Sequence, residues 1–495
     1  MNKNFYITTT LPYVNADPHI GFAAEIVRAD CIARYQRQLG NDVFFNTGTD
    51  EHGLKIFRKA EEVGLNAQEY CDGYAAKFND LKVALDLSYN SFIRTTDKHH
   101  VAAAQDFWRL CFQKGDIYKK NYSIKYCVGC ELEKTESELV NGECPLHPGK
   151  PLEIIDEENY FFRWSEYQEK LLKFYDENPD FIAPKHRMHE IRNFVASGLQ
   201  DFSISRLKNK MPWGVAVPDD EDHVMYVWFD ALVNYISCLG WPCHCERVNK
   251  FGADEPGDMA LCKKDNFDYK KFWPGMQVAG KDNLRQQTAM WQAMLMSAGI
   301  QNSTQVLIFG FINVDGQKMS KSIGNVVSPY TLTEKYGTDA TRYYLLSGLK
   351  SFEDSDFTFE KFELKYNADL ANGLGNLVAR TSNLLEKNEI EVEVKIGSND
   401  KLKKDFYAKL DQYLFDEAIE ILWHELRGND ELLSEKTPWK MTDKVEIKKV
   451  LEPVAQSILN VAELLQIVMP EIAGKIITQF SEKQIKKGEA LFPRI

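Results

Sequence analysis

The chain has 495 residues, 44% of them hydrophobic and 27% charged, ordinary globular values at a length that predicts two or three domains rather than one core. No run of about 18 apolar residues occurs, and the amino terminus MNKNFYITTT lacks a basic segment followed by an apolar one, so a soluble, unprocessed protein without membrane association is expected. A net charge of −13 argues against an indiscriminate nucleic-acid binder without excluding a local basic groove, and 10 cysteines without a secretory signal predict a reducing, cytoplasmic setting where grouped cysteines bind metal.

In chain order, NFYITTT (4–10) is aromatic and β-branched, as a buried strand requires. The loop LPYVNADPHIGF (11–22) leads into a helix over 21–39, with Ala24, Val27, Cys31, Tyr35 and Leu39 at helical steps and Gly40-Asn41 as the stop. DVFFNTGTDEHG (42–53) reads as a second strand running into a polar loop, which completes a βαβ unit and implies a parallel, doubly wound sheet. From about 116 to 225 this periodicity is interrupted by short aromatic and charged segments around a cysteine group. It resumes with MYVWFDALVNYI (225–236), the strand MQVAG (276–280), a helix carrying Leu284, Trp291, Leu295 and Ala298, and the strand VLIFGFINV (306–314).

Beyond about 359 strands vanish, and Ile447, Leu451, Val454, Ile458, Val461, Leu465 and Val468 form one apolar helical stripe. Pro453 within it predicts a kink or the true helix start. The fold class is α/β: a doubly wound Rossmann-like parallel sheet split by a zinc-binding insertion, followed by an all-α helical bundle. The boundaries fall at 1–115 and 226–325 for the split catalytic halves, 116–225 for the insertion, 326–358 for a linker and 359–495 for the bundle.

In such a sheet, ligands sit beyond the carboxyl ends of the strands, and a helix N-terminus attracts phosphate. His19 lies at that place with Gly21, whose missing Cβ lets a flat base approach the backbone. VDGQKMSKS (314–322) puts Lys318 and Lys321 on a loop after an Asp-Gly turn signal, suited to clamping and releasing a polyphosphate. Cys127-x2-Cys130 and Cys144-x2-His147 would complete a closed tetrahedral site, which implies a structural zinc. Cys243-His244-Cys245 is too tight to share one tetrahedral centre.

PHIGF and KMSKS on two halves of one sheet resemble the paired signatures of class I aminoacyl-tRNA synthetases. The segments LPYVNADPHIG, TGTDEHG, YCVGCE…CPLH, YVWFDALVNY, AGKD, KMSKS, GNLVAR and TPW are similar, in order, to the methionine-specific family. The resemblance implies ATP contacts and α-phosphate stabilisation by His19 and Gly21, an ATP role for Asp282, and a hold on the β- and γ-phosphates by Lys318 and Lys321. It implies a methionine site of Leu11, Tyr13, Asp50, Trp228, Ala231, Tyr235 and Gln287, with Asp50 receiving the ammonium. It places the anticodon of tRNA(Met) at Asn376, Arg380 and Trp439, an arrangement of amide, cation and aromatic that suits splayed bases. Phe22 stands where the family's first signature usually ends in a second His, and Asn283 and Gln287 where Ile and His are common.

The implied activity is methionine–tRNA ligation: methionine and Mg-ATP give methionyl-adenylate and pyrophosphate, and the acyl group then passes to tRNA(Met) for initiation and elongation. The alternatives are another class I synthetase, for which the 116–225 insertion leaves little room for an editing domain, and a small-molecule adenylyltransferase, which would need no anticodon-type bundle. A relative that binds RNA without catalysis is a third. A chain ending at LFPRI without an appended RNA-binding module is expected to be a monomer.

Overall fold

The computed structural model describes residues 3–130, 132–134, 138–242, 268–319 and 324–495. The chain packs as two compact units, and their division does not follow chain order. The first takes residues 1–17, 42–80 and 89–308; the second takes 18–41, 81–88 and 309–495.

The first unit is built on a six-stranded sheet. Its strands are β1 (Asn4–Thr9), β2 (Asp42–Thr49), β3 (Ser91–Arg94), β6 (Ile182–Ala183), β7 (Met276–Gly280) and β8 (Gln305–Phe309), and their spatial order is β3-β2-β1-β7-β8-β6. The intervening strands β4 (Ile117–Cys127) and β5 (Glu153–Phe162) form an antiparallel pair in a separate four-stranded sheet within the insertion. β1 runs parallel to β2 and β7, with Ile7 opposite Phe45 and Met276. β2 and β3 pair in parallel, as do β8 and β6. Parallel strands covered on both faces read as unbroken apolar runs. Accordingly Ile7, Phe45 and Leu307 have no exposed surface and Val278 only 1%. Ala279, Val306 and Ile308 belong to a core in which Trp108, Phe229, Phe107 and Trp291 make successive ring contacts.

Two expected elements differ in detail. VLIFGFINV is broken at Gly310, so that Ile312–Val314 pairs instead with Gln317–Lys318 and Ser355–Phe357. The helix after AGKD opens as a short 3₁₀ turn (Lys281–Asn283), passes through a π turn (Gln286–Met290) and becomes α-helical only over Trp291–Ala298.

The second unit holds α1 (Ile20–Gln38), which follows β1 in sequence, and the C-terminal helices. Among these are α2 (Thr338–Ser347), α3 (Asn376–Lys387), α4 (Phe415–Lys436), α5 (Lys444–Leu465) and α6 (Pro470–Phe480). Pro453 sits inside α5 and does not mark its start, and the predicted stripe from Ile447 to Leu465 is buried. Arg342 and Asp30, each without exposed surface, join α2 to α1 at 2.8 Å. Burial pushes the Asp30 carboxyl up, but Arg342, Arg34 and the Ser88 hydroxyl outweigh it and leave it below its usual value. Among the described residues no helix is long and apolar enough to cross a membrane.

Candidate active site

Where β1 and β2 end, the first unit opens a cavity of about 70 Å³. Thr10, Leu11, Asp50, Trp228, Ala231, Leu232, Asn234, Tyr235, Asn283, Gln286 and Gln287 line it. This is where a doubly wound sheet takes its ligand. Leu11, Asp50, Trp228, Ala231, Tyr235 and Gln287 thus come together as their sequence positions predict. Tyr13 does not line the cavity; it bridges to Asp50 along the backbone, and the Lys55 ammonium lies 5.8 Å from its ring centre. Thr10, Leu232, Asn234 and Gln286 escaped the sequence reading. Asn283, Gln286 and Gln287 at steps of three and four were the signal for Gln286, and the π turn brings the last two onto one wall.

Asp50 is 9% exposed. Its neighbours are locked. Glu51 accepts from Arg94 Nε at 2.6 Å and Nη2 at 2.8 Å, and from the Thr49 and Thr96 hydroxyls. His52 Nδ1 lies 2.7 Å from Asp230 Oδ2, with 6% and 0% of the two side chains exposed. Burial raises the Asp230 carboxyl, with His52 acting against it.

Gln287 is also held by the fold. It donates to the Tyr235 hydroxyl at 2.7 Å and accepts from Gln277 at 3.1 Å. Gln277 in turn accepts from Ser303, whose hydroxyl takes a bond from Gln292. Asn283, Gln286 and Gln287 therefore bring neutral amides to the lining, with no titrating group at position 287.

In the second unit, His19 is the N-cap of α1: its Nδ1 accepts from the Gly21 amide at 3.1 Å. Accepting at Nδ1 puts the neutral ring's proton on Nε2, the donor a phosphoryl oxygen needs. A Cβ at Gly21 would stand 2.8 Å from the His19 ring, so the glycine permits this cap. Phe22 is buried at 9% exposure. Asp315 and Gly316 both have positive φ, 52° and 73°, the signature of a tight hairpin turn. That turn presents Lys318, exposed, with its ammonium 5.0 Å from the Phe311 ring. Lys321 lies outside the described residues, as does the Cys243-His244-Cys245 segment. Asp282, in the first unit, is exposed on the 3₁₀ turn.

The insertion brings Cys127, Cys130, Cys144 and His147 together, with their ligand atoms all within 4.8 Å of one another. His147 Nδ1 lies 3.2 Å from Cys130 Sγ and 3.7 Å from Cys127 Sγ, and Cys130 and Cys144 Sγ lie 3.4 Å apart. A tetrahedron with zinc–sulfur bonds of about 2.3 Å has edges of about 3.8 Å. The donor set fits such an ion. A Cβ on Gly129 would approach the His147 ring to 2.5 Å, which explains the glycine between the first two thiols.

On α3, exposed Asn376 precedes Arg380 by one turn. The Arg380 guanidinium covers the Trp439 ring at 5.1 Å and donates to Asp430 at 3.2 Å, while Trp439 remains 45% exposed. An open indole held by a cation is a platform on which a base can stack.

The family model for class I tRNA synthetases (M) matches residues 5–151 and 136–382. The methionine–tRNA ligase of Nostoc sp. is 41% identical over 96% of this chain and 90% of its own length. That of Caldanaerobacter subterraneus subsp. tengcongensis is 39% identical over all of this chain and 79% of its own. Among solved structures, the methionyl-tRNA synthetase of Mycobacterium tuberculosis in complex with methionyl-adenylate superposes with a TM-score of 0.87 at 35% identity, covering 99% of this chain and 100% of that one. The chain belongs to the methionine–tRNA ligase family of class I tRNA synthetases.

Proposed function

We propose that the protein activates L-methionine with ATP and transfers it to tRNA(Met). The observation that carries this reading is the cavity at the carboxyl ends of β1 and β2, where Asp50 meets Leu11, Trp228 and Tyr235 in a chain of this family. A carboxylate suits the substrate ammonium, and aromatic and aliphatic walls suit a polarizable thioether. The methionine carboxylate attacks the α-phosphate of Mg-ATP, and a ribose hydroxyl of the terminal tRNA adenosine then takes the acyl group. Catalysis rests on positioning and charge stabilisation, with no covalent intermediate on the protein.

His19 donates from Nε2 to the α-phosphoryl group, while Lys318 and Lys321 neutralise the departing pyrophosphate and Asp282 contributes to ATP binding. Cys127, Cys130, Cys144 and His147 would hold one zinc, which supplies structural cross-linking of the insertion rather than chemistry. Asn376, Arg380 and Trp439 read the anticodon.

Methionine-dependent ATP–pyrophosphate exchange tests the reading, with isoleucine, leucine, valine and cysteine alongside. Exchange with methionine alone is expected. Exchange with none of the five would overturn it and favour a relative that binds RNA without catalysis.

A further inference from the structure

Two of the segments that line the methionine cavity arrive from distant parts of the sequence, the loop after β2 and the segment Val227–Ala231. We infer that the buried pair His52–Asp230 is the positioning device that sets those segments relative to each other, and that it thereby determines affinity for the amino acid. The inference rests on the cavity being the methionine site.

Neither residue lines the cavity. Each stands beside one that does. His52 is two residues after Asp50, and Asp230 lies between Trp228 and Ala231. Their side chains meet at 2.7 Å in a region nearly without solvent, so the bond fixes a direction as well as a distance.

The two partners differ in how firmly they are otherwise held. The loop is anchored: Glu51 is enclosed by Arg94 and two threonines, Trp213 Nε1 donates to the Glu51 carbonyl at 2.6 Å, and the Trp213 ring meets His52 edge-on at 5.6 Å. Val227–Ala231 is not anchored by local structure. It is a five-residue helix whose N-cap, Tyr226, makes no side-chain capping bond. One turn of helix has little stability of its own, so its orientation must come from tertiary contacts. Phe229 supplies apolar ones, against Phe107 and Trp108. A packed ring allows some sliding, whereas the Asp230 hydrogen bond specifies one register.

Asp230 also carries a cost that packing alone would not justify. Its Oδ1 is buried without a hydrogen-bond partner among the described residues. Beside it His100, bonded through Nδ1 to Ser237 at 2.9 Å, is driven by burial down to about 3 and is neutral at physiological pH. A neutral His100 brings no compensating charge to the carboxylate. Apart from the backbone amide of Ala231, His52 is the partner on which Asp230 depends.

The test is methionine affinity without ATP, read from tryptophan fluorescence, together with exchange kinetics on the full chain. Asp230→Ala and His52→Ala should each weaken methionine binding about tenfold or more, since small misplacements of a binding group are costly. KM for ATP and the rate at saturating methionine should stay within about threefold, the pattern of lost uniform binding. Asp230→Asn, which keeps an acceptor at the same place, should restore most of the affinity. The double alanine variant should be no worse than the weaker single one. If an alanine variant does not fold, His52→Phe, which keeps the bulk and removes the bond, carries the same measurement. Unchanged methionine affinity in folded variants overturns the inference. So does an Asparagine variant as impaired as alanine, or an equal loss in KM for ATP, because both belong to a merely structural role. A parent protein without methionine-dependent exchange would instead remove the functional reading on which the inference stands.

Discussion

Gln287 donates its amide to the hydroxyl of Tyr235 at 2.7 Å while accepting from Gln277 at 3.1 Å, so one side chain of the cavity is held from both ends by the fold. Removing it takes one hydrogen-bond partner each from the buried Tyr235 hydroxyl and the Gln277 amide, about 0.5–1 kcal/mol per bond. Gln287→Leu should raise KM for methionine roughly 5- to 30-fold, with KM for ATP unchanged. An amide does not titrate, so Gln287→His should introduce a change in methionine affinity near pH 6–7 that the parent lacks. Fluorescence titration between pH 5.5 and 8 decides both points.

The thiol cluster of the insertion should bind one zinc per chain. Elemental analysis of protein purified without chelator is the measurement. Cys130→Ser should lower the metal content and the thermal midpoint together, because a structural site contributes its binding energy to folding. Full zinc content in that variant would assign the metal elsewhere.

Trp439 is exposed and Arg380 holds its face. A stacked base contributes about 1–3 kcal/mol, so Trp439→Ala should raise KM for tRNA roughly 5- to 150-fold while sparing ATP–pyrophosphate exchange. Arg380→Lys loses the planar group over the ring and should follow in the same direction, more weakly. Equal loss of charging and exchange would point to a folding role.

Asp339 accepts from the Ile472 amide at 2.6 Å, and burial pushes its carboxyl up to about 6. A raised folded value means that the native state binds the proton more tightly than the unfolded chain, whose carboxyl titrates near 4. Stability from this group is then greatest below about pH 4, falls as pH rises to about 6, and is level above. The drop is on the order of 3 kcal/mol. Asp339→Asn keeps the bond to Ile472 and has no charge to bury. Its thermal midpoint should gain on the parent's between pH 4.5 and 7.5, and a constant difference would contradict the assignment.

Much of this was legible in the sequence where period and local chemistry agree. Strand 276–280 and the helix after His19 emerge nearly as written, because apolar runs and a capping residue act over short distances. The cavity residues Leu11, Asp50, Trp228 and Tyr235 were reached through motifs. The turn chemistry of Asp315-Gly316 also held. What sequence could not supply was partnership. Nothing local says that His52 meets Asp230, that Gln287 is tied to Gln277, or that a regular helical pattern after AGKD begins with a π turn. Those outcomes come from which distant side chain fills a buried valence. At His19 a local bond bears on a distant one: the cap to the Gly21 amide occupies Nδ1 and leaves Nε2 of the neutral ring as the donor.

The assignment of α1 to the second unit bears on how the protein is made. Arg28, on α1, gives its guanidinium to the carbonyl of Lys350, which lies 322 residues further along. At about 5–20 residues per second, tens of seconds pass on the ribosome between the two. Throughout that interval α1 has early partners such as Ser88, but it lacks the C-terminal ones, Arg342 against Asp30 and the Lys350 carbonyl against Arg28. Synthesis therefore passes through a long period in which a helix near the amino terminus carries the buried Asp30 without its Arg342 partner. Slowed elongation or scarce chaperone should harm the yield of this protein earlier than that of one whose halves close in chain order.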